Sequence, residues 1–133
     1  MPRCVYTEPE AAAVGLTPTE AAAKGVPLDR YASSLAHNDR AILESSGCGA
    51  FVELYCREGT EEIVGAAIVA PHAGDLISEV TLAMKANVGI ATVARVIHPY
   101  PTLAEGVMGC GLGYIRKHWQ KLPARKRKAD KRS

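Results

Sequence analysis

Apolar and polar positions change their rhythm several times along this chain, and each change marks an element. Residues 3–7 are short and β-prone, and Glu8-Pro9-Glu10 ends them. Residues 8–14 are rich in alanine and predict a first helix that Gly15 stops. A second helix is expected over residues 17–24, with Thr17 as N-cap, Pro18 at the first helical position and Gly25 as terminator. Residues 29–36 read as a strand. The clearest alternation follows over residues 50–57, where Ala50, Val52, Leu54 and Cys56 interleave with Phe51, Glu53, Tyr55 and Arg57. After the polar loop Arg57-Glu58-Gly59-Thr60-Glu61, residues 63–70 are apolar throughout, which predicts a hairpin whose second strand is covered on both faces. Gly65 within that strand implies close approach by another element.

Helical spacing returns after Pro71-His72-Ala73-Gly74-Asp75, with Leu76, Ile77, Val80 and Met84 on one face and a stop at Asn87 and Gly89. Residues 90–97 form a short apolar segment leading to His98-Pro99-Tyr100-Pro101-Thr102. A last helix is expected over residues 103–122, with Glu105 in its first turn and basic residues at its end. Gly106, Gly109, Gly111 and Gly113 all fall inside it, each costing about 0.8–1 kcal/mol against alanine. Either the helix breaks there, or another backbone comes close, as at a contact between subunits.

Composition narrows the picture. The 133 residues suffice for one domain, and with only seven aromatic residues the core must be aliphatic. No apolar run nears the roughly 20 residues that a spanning helix requires, and the N-terminus lacks a secretory pattern, so a soluble intracellular protein is expected, with cytoplasm and organelle left open. From Lys121 to Ser133 there are seven basic residues and one acidic, a net charge of +6, whereas the first 120 residues hold nine basic and thirteen acidic, a net charge of −4. The body is residues 1–120, and residues 121–133 read as a disordered basic tail, with nuclear import or an anionic surface as the sharper alternative. The acidic body and scarce aromatics argue against nucleic acid as a partner. Cys4, Cys48, Cys56 and Cys110 have no metal-site spacing and read as buried or half-buried thiols.

Four stretches, in this order, carry a family resemblance: Val5-Tyr6-Thr7-Glu8-Pro9-Glu10 with Val14-Gly15-Leu16-Thr17; Asn38-Asp39-Arg40-Ala41; Gly65 through Ile77 around Pro71-His72-Ala73-Gly74; and His98-Pro99-Tyr100-Pro101-Thr102-Leu103-Ala104-Glu105. Together they resemble the C-terminal dimerisation domain of the pyridine nucleotide-disulfide oxidoreductases, which include glutathione reductase, dihydrolipoamide dehydrogenase and mercuric reductase. The resemblance implies an α+β fold, an antiparallel sheet of about five strands with helices on one side. It also implies a two-fold homodimer, and obligate interfaces of that kind bury more than about 2,000 Å². The partners implied are a second copy and the FAD and NAD domains of a parent enzyme, with FAD and NAD(P)H used by the full-length protein and none bound by this chain.

The chain has no Gly-x-Gly-x-x-Gly and no family redox-cysteine pair, so it is not expected to catalyse alone. In the family, a His before Pro-Thr reaches into the partner's active site, oriented by a Glu five residues on. Here those positions are Tyr100 and Glu105, and the tyrosine resembles the mercuric reductase branch, although the vicinal cysteines of that branch's C-terminus are missing. A phenol with an ordinary pKa near 10 is a poor base at neutral pH. The resemblance therefore makes Tyr100, Glu105 and His98 the candidate catalytic residues, contributed across the dimer. It places His98 and Pro99 at the partner's flavin, expects a cis peptide at Tyr100-Pro101, and gives no metal site. The alternative is a stand-alone, non-catalytic interaction module derived from the same domain.

Overall fold

The computed structural model describes residues 1–6, 10–34, 50–96, 98 and 104–120. Among the described residues, five strands and four helices follow in the order β1 (Arg3–Val5), β2 (Glu10–Gly15), α1 (Pro18–Ala23), β3 (Leu28–Ser34), β4 (Phe51–Arg57), β5 (Ile63–Ala70), α2 (Ala73–Lys85), α3 (Ile90–Arg95) and α4 (Glu105–Gln120). The strands make one antiparallel sheet in the order β1-β2-β5-β4-β3. This is the α+β arrangement that the family resemblance implies.

Alternation sets the inner face. Ala12 pairs with Ile68, Val52 pairs with Ile68 from the other side, and Leu54 lies between Ala66 and Tyr31. These residues are buried together with Leu76, Ile77, Val80 and Ala83 of α2 and Val107 and Cys110 of α4. Helix α2 covers β2 and β5, α4 covers β3 and β4, and α3 packs on α4.

The alanine-rich helix expected over residues 8–14 does not form. Residues 10–15 are β2, hydrogen-bonded to β1 on one side and β5 on the other. Alanine favours a helix by propensity, but β5 pairs along the whole of this strand and β1 along Ala11 to Ala13, and Ala12 and Val14 alternate into the core. Residues 90–95, read only as an apolar segment, form the short helix α3, which starts at Gly89.

The second helix is capped as the sequence predicts. The Thr17 hydroxyl accepts from the Glu20 amide at 3.2 Å, the Glu20 carboxylate accepts from the Thr17 amide at 3.3 Å, and Pro18 opens the helix. Helix α2 has a different start. His72 sits in the left-handed region (φ 58°) and offers no side-chain cap, so Glu10 on β2 supplies one by accepting from the Gly74 amide at 3.2 Å. In β5, a Cβ on Gly65 would lie 2.0 Å from the Leu16 carbonyl oxygen, so the close approach expected there is a crossing of the chain leaving β2.

Helix α4 does not break at its glycines. A Cβ on Gly111 would stand 2.8 Å from the Ala94 Cβ and 2.9 Å from the Ile90 carbonyl oxygen, and one on Gly109 would stand 2.8 Å from the Ser33 hydroxyl. The tight contact is thus made with α3 and β3 of the same chain. Further along, Tyr114 meets Tyr31 edge-on at 5.6 Å, and the Lys117 ammonium lies 3.3 Å from Asp29.

Candidate functional site

The segment joining α3 to α4 holds all the candidate site residues. It is short, and it is framed by a helix that stops at Arg95 and another that begins at Glu105. Pro99, Tyr100, the Tyr100-Pro101 peptide and Thr102 lie outside the described residues, as do Asn38-Asp39-Arg40-Ala41 and the basic tail. His98 and Glu105 are described.

The His98 imidazole is 5% exposed. Its Nδ1 donates to the Val96 carbonyl oxygen at 2.9 Å, and its Nε2 lies 2.5 Å from Oε1 of Glu79, midway along α2. Both ring nitrogens are thus engaged within the chain. Glu79 carries no motif of its own; the signal for it was an acidic residue half-buried on the flank of an otherwise apolar helix, which sequence alone reads as a solvated position. Glu105 is half-buried at the first position of α4, where the helix dipole favours a carboxylate.

Cys56 and Cys110 are fully buried, Cys110 donates to the Val52 carbonyl at 3.4 Å, and burial pushes both thiols up to about 12. Neither is a nucleophile at neutral pH. Cys4 is half-buried, and no group of three or more metal-ligating side chains occurs among the described residues. Burial likewise pushes the Tyr31 phenol up to about 12, and that of Tyr55 higher still, aided by its 2.6 Å hydrogen bond to Glu53.

A dinucleotide cofactor needs free amides for its phosphates, most readily at a helix N-terminus. Here Glu10 already occupies the start of α2, and Glu105 stands at the start of α4. No helix among the described residues is long and apolar enough to cross a membrane.

Comparison with known proteins agrees with this fold. The dimerisation domain of the pyridine nucleotide-disulphide oxidoreductases matches residues 1–109. The dihydrolipoyl dehydrogenase of Chlamydia muridarum is 36% identical over 105 residues, covering 79% of this chain and 22% of that protein. The mercuric reductase of Shigella flexneri is 34% identical over 107 residues, covering 80% and 19%. Among solved structures, LpdA from Mycobacterium tuberculosis superposes with a TM-score of 0.78 at 28% identity, covering 84% of this chain and 24% of that one. The chain thus spans about a fifth of the length of the relatives it matches. With the fold, the order of its motifs and these matches in agreement, the chain belongs to the dimerisation-domain family of the pyridine nucleotide-disulphide oxidoreductases.

Proposed function

We propose that this chain is the C-terminal homodimerisation domain of an FAD-dependent, NAD(P)H-using oxidoreductase of the mercuric reductase-like kind. Its segment from His98 to Glu105 serves the flavin site of the partner subunit. Tyr100 faces the substrate side, Glu105 steadies the segment from the first turn of α4, and His98 with Pro99 borders the flavin. The FAD and NAD domains of the same enzyme hold the cofactors and supply the redox chemistry. Tyr100 contributes a hydroxyl for orientation and hydrogen bonding. The observation that carries this reading is the anchoring of His98 to Glu79, which holds one end of the segment while α4 holds the other.

The dimer also needs surface. Leu82 on α2 is 68% exposed and Leu112 on α4 is 39% exposed, large aliphatic side chains left in water on the helical side of the sheet. Burying such groups stabilises association at about 25 cal/mol per Å². Light scattering across micromolar concentrations tests the reading. A mass near twice 14.1 kDa is expected, and a folded monomer throughout that range would overturn it.

A further inference from the structure

The sheet has a second face, turned away from the core. Strand pairing places Val5, Ala11, Val69 and Phe51 in one row across it, and Ala13, Ala67 and Glu53 in the next. The chain crossing at Leu16 closes the end of this face at Gly65. Val5 is 59% exposed, and Ala11, Ala13, Ala67, Val69 and Phe51 stay half-exposed among the described residues. An antiparallel sheet that meets water on one side carries polar residues there. On the three middle strands these two rows offer apolar side chains and a single acid, Glu53. That acid is already held: Oε1 is paired with the Arg30 guanidinium, and Oε2 accepts from the Tyr55 hydroxyl at 2.6 Å. A carboxylate facing water needs no such clasp; one that is to be covered does.

We propose, resting on the function proposed above, that the outer face of the sheet around Val69 is the surface on which the FAD- and NAD-binding part of the parent enzyme packs within its own subunit. That function gives the helical side to a second copy, and a two-fold dimer uses the same patch on both subunits, so the opposite face stays free. The matched relatives hold far more chain: the aligned part is 22% of the Chlamydia muridarum dihydrolipoyl dehydrogenase and 19% of the Shigella flexneri mercuric reductase. In the sheet, β1 is an edge strand and the first in the chain, and it carries Val5 at the border of this face. A domain joined ahead of β1 is held beside the face at an effective concentration of about millimolar, which favours it over any free partner.

The test places a thiol at the centre of the face. Val69→Cys puts a side chain of similar size there, and Leu82→Cys puts one on the helical side. Labelling by a maleimide is followed in the full 133-residue chain, with the unsubstituted chain and its own cysteines as background. It is followed again in a chimaera in which this chain replaces the 105 matched residues of the Chlamydia muridarum dihydrolipoyl dehydrogenase. In the 133-residue chain, position 69 should label at one rate across micromolar concentrations, while position 82 slows as the dimer forms. In the FAD-loaded chimaera, position 69 should label at least about tenfold more slowly, as a site reached only by local opening does. Equal rates in the chain and the FAD-loaded chimaera would overturn the proposal. So would slowing at position 69 as the 133-residue chain dimerises, because a second copy would then be the cover. Should the chimaera take up no FAD, the concentration series of the chain decides. A monomer throughout, with position 82 labelled at one rate, would sink the dimer reading and leave the result of the chimaera as it is, so the two failures are distinguishable.

Discussion

Helix α2 meets β2 and β5 through Leu76, Ile77, Val80 and Ala83, a stripe of mostly branched side chains at helical spacing. Helix α4 meets β3, β4 and α3 on the same face of the sheet with Val107, Cys110 and the bare backbone at Gly109 and Gly111. The first contact is made by filling space and the second by leaving none. On the α2 side, removal of atoms does damage; on the α4 side, addition does. The α4 side also holds the ionisable groups of the core, Cys56, Cys110 and Tyr31, whereas the residues α2 buries are apolar.

The largest effect expected from this contrast is Ile77→Ala, which should destabilise the domain by about 2–5 kcal/mol through lost burial and the cavity left behind. Urea unfolding measures it, and a loss below about 1 kcal/mol would mean that α2 is loosely seated.

Alkaline titration acts on the other side. The two buried thiols ionise in the unfolded chain near their ordinary value but only near 12 in the folded one. Above about pH 9 the unfolded state binds fewer protons, so stability is complete below that pH and falls as pH rises towards 12, by on the order of 1 kcal/mol per pH unit for each thiol. Cys110→Ala should flatten that slope, and a slope unaltered by the substitution would show that the thiol does not titrate with unfolding.

The smallest effects come from a pair of glycines two residues apart. Gly111→Ala forces backbone and side-chain atoms of α3 to move, at a cost of about 1–3 kcal/mol that the gain in helix propensity only partly offsets. At Gly113 the nearest atom to a new Cβ is the Tyr31 ring at 4.0 Å, an ordinary contact. Gly113→Ala should therefore stabilise the domain by about 0.5–1 kcal/mol. Thermal melts of the two variants should shift in opposite directions; equal shifts would remove the distinction between the glycines.

The same contrast explains what was legible in the sequence. The stripe on α2 and the alternation along β4 announce themselves because large side chains mark the buried positions. Glu10–Gly15 misleads because alanine is compatible with both states, and the deciding hydrogen bonds come from Val69, Ile68 and other residues more than fifty positions away. The glycines of α4 signalled close approach, but nothing in their spacing said that Ala94 and Ser33 were the neighbours. At the site, Tyr100 and Glu105 were singled out as candidates by the family resemblance around Pro101-Thr102. Glu79 was not, since a half-buried acid on a helix looks like a solvated one until the fold brings His98 to it.

The long reach of Glu10 bears on the order in which this domain assembles. It caps the start of α2 across 64 residues of chain, and the strand it sits on pairs with β5. Strands β3, β4 and β5 are neighbours in the sheet in chain order, so they can pair by local closure. Strand β2 leaves a growing chain before they do and can pair with β1, yet its other edge must wait until β5 exists. Closing so long a loop is slow because its entropy is lost before any contact is made. The N-terminal strands are therefore made early and locked late, and the capping of α2 marks the moment at which β2 and β5 have found each other.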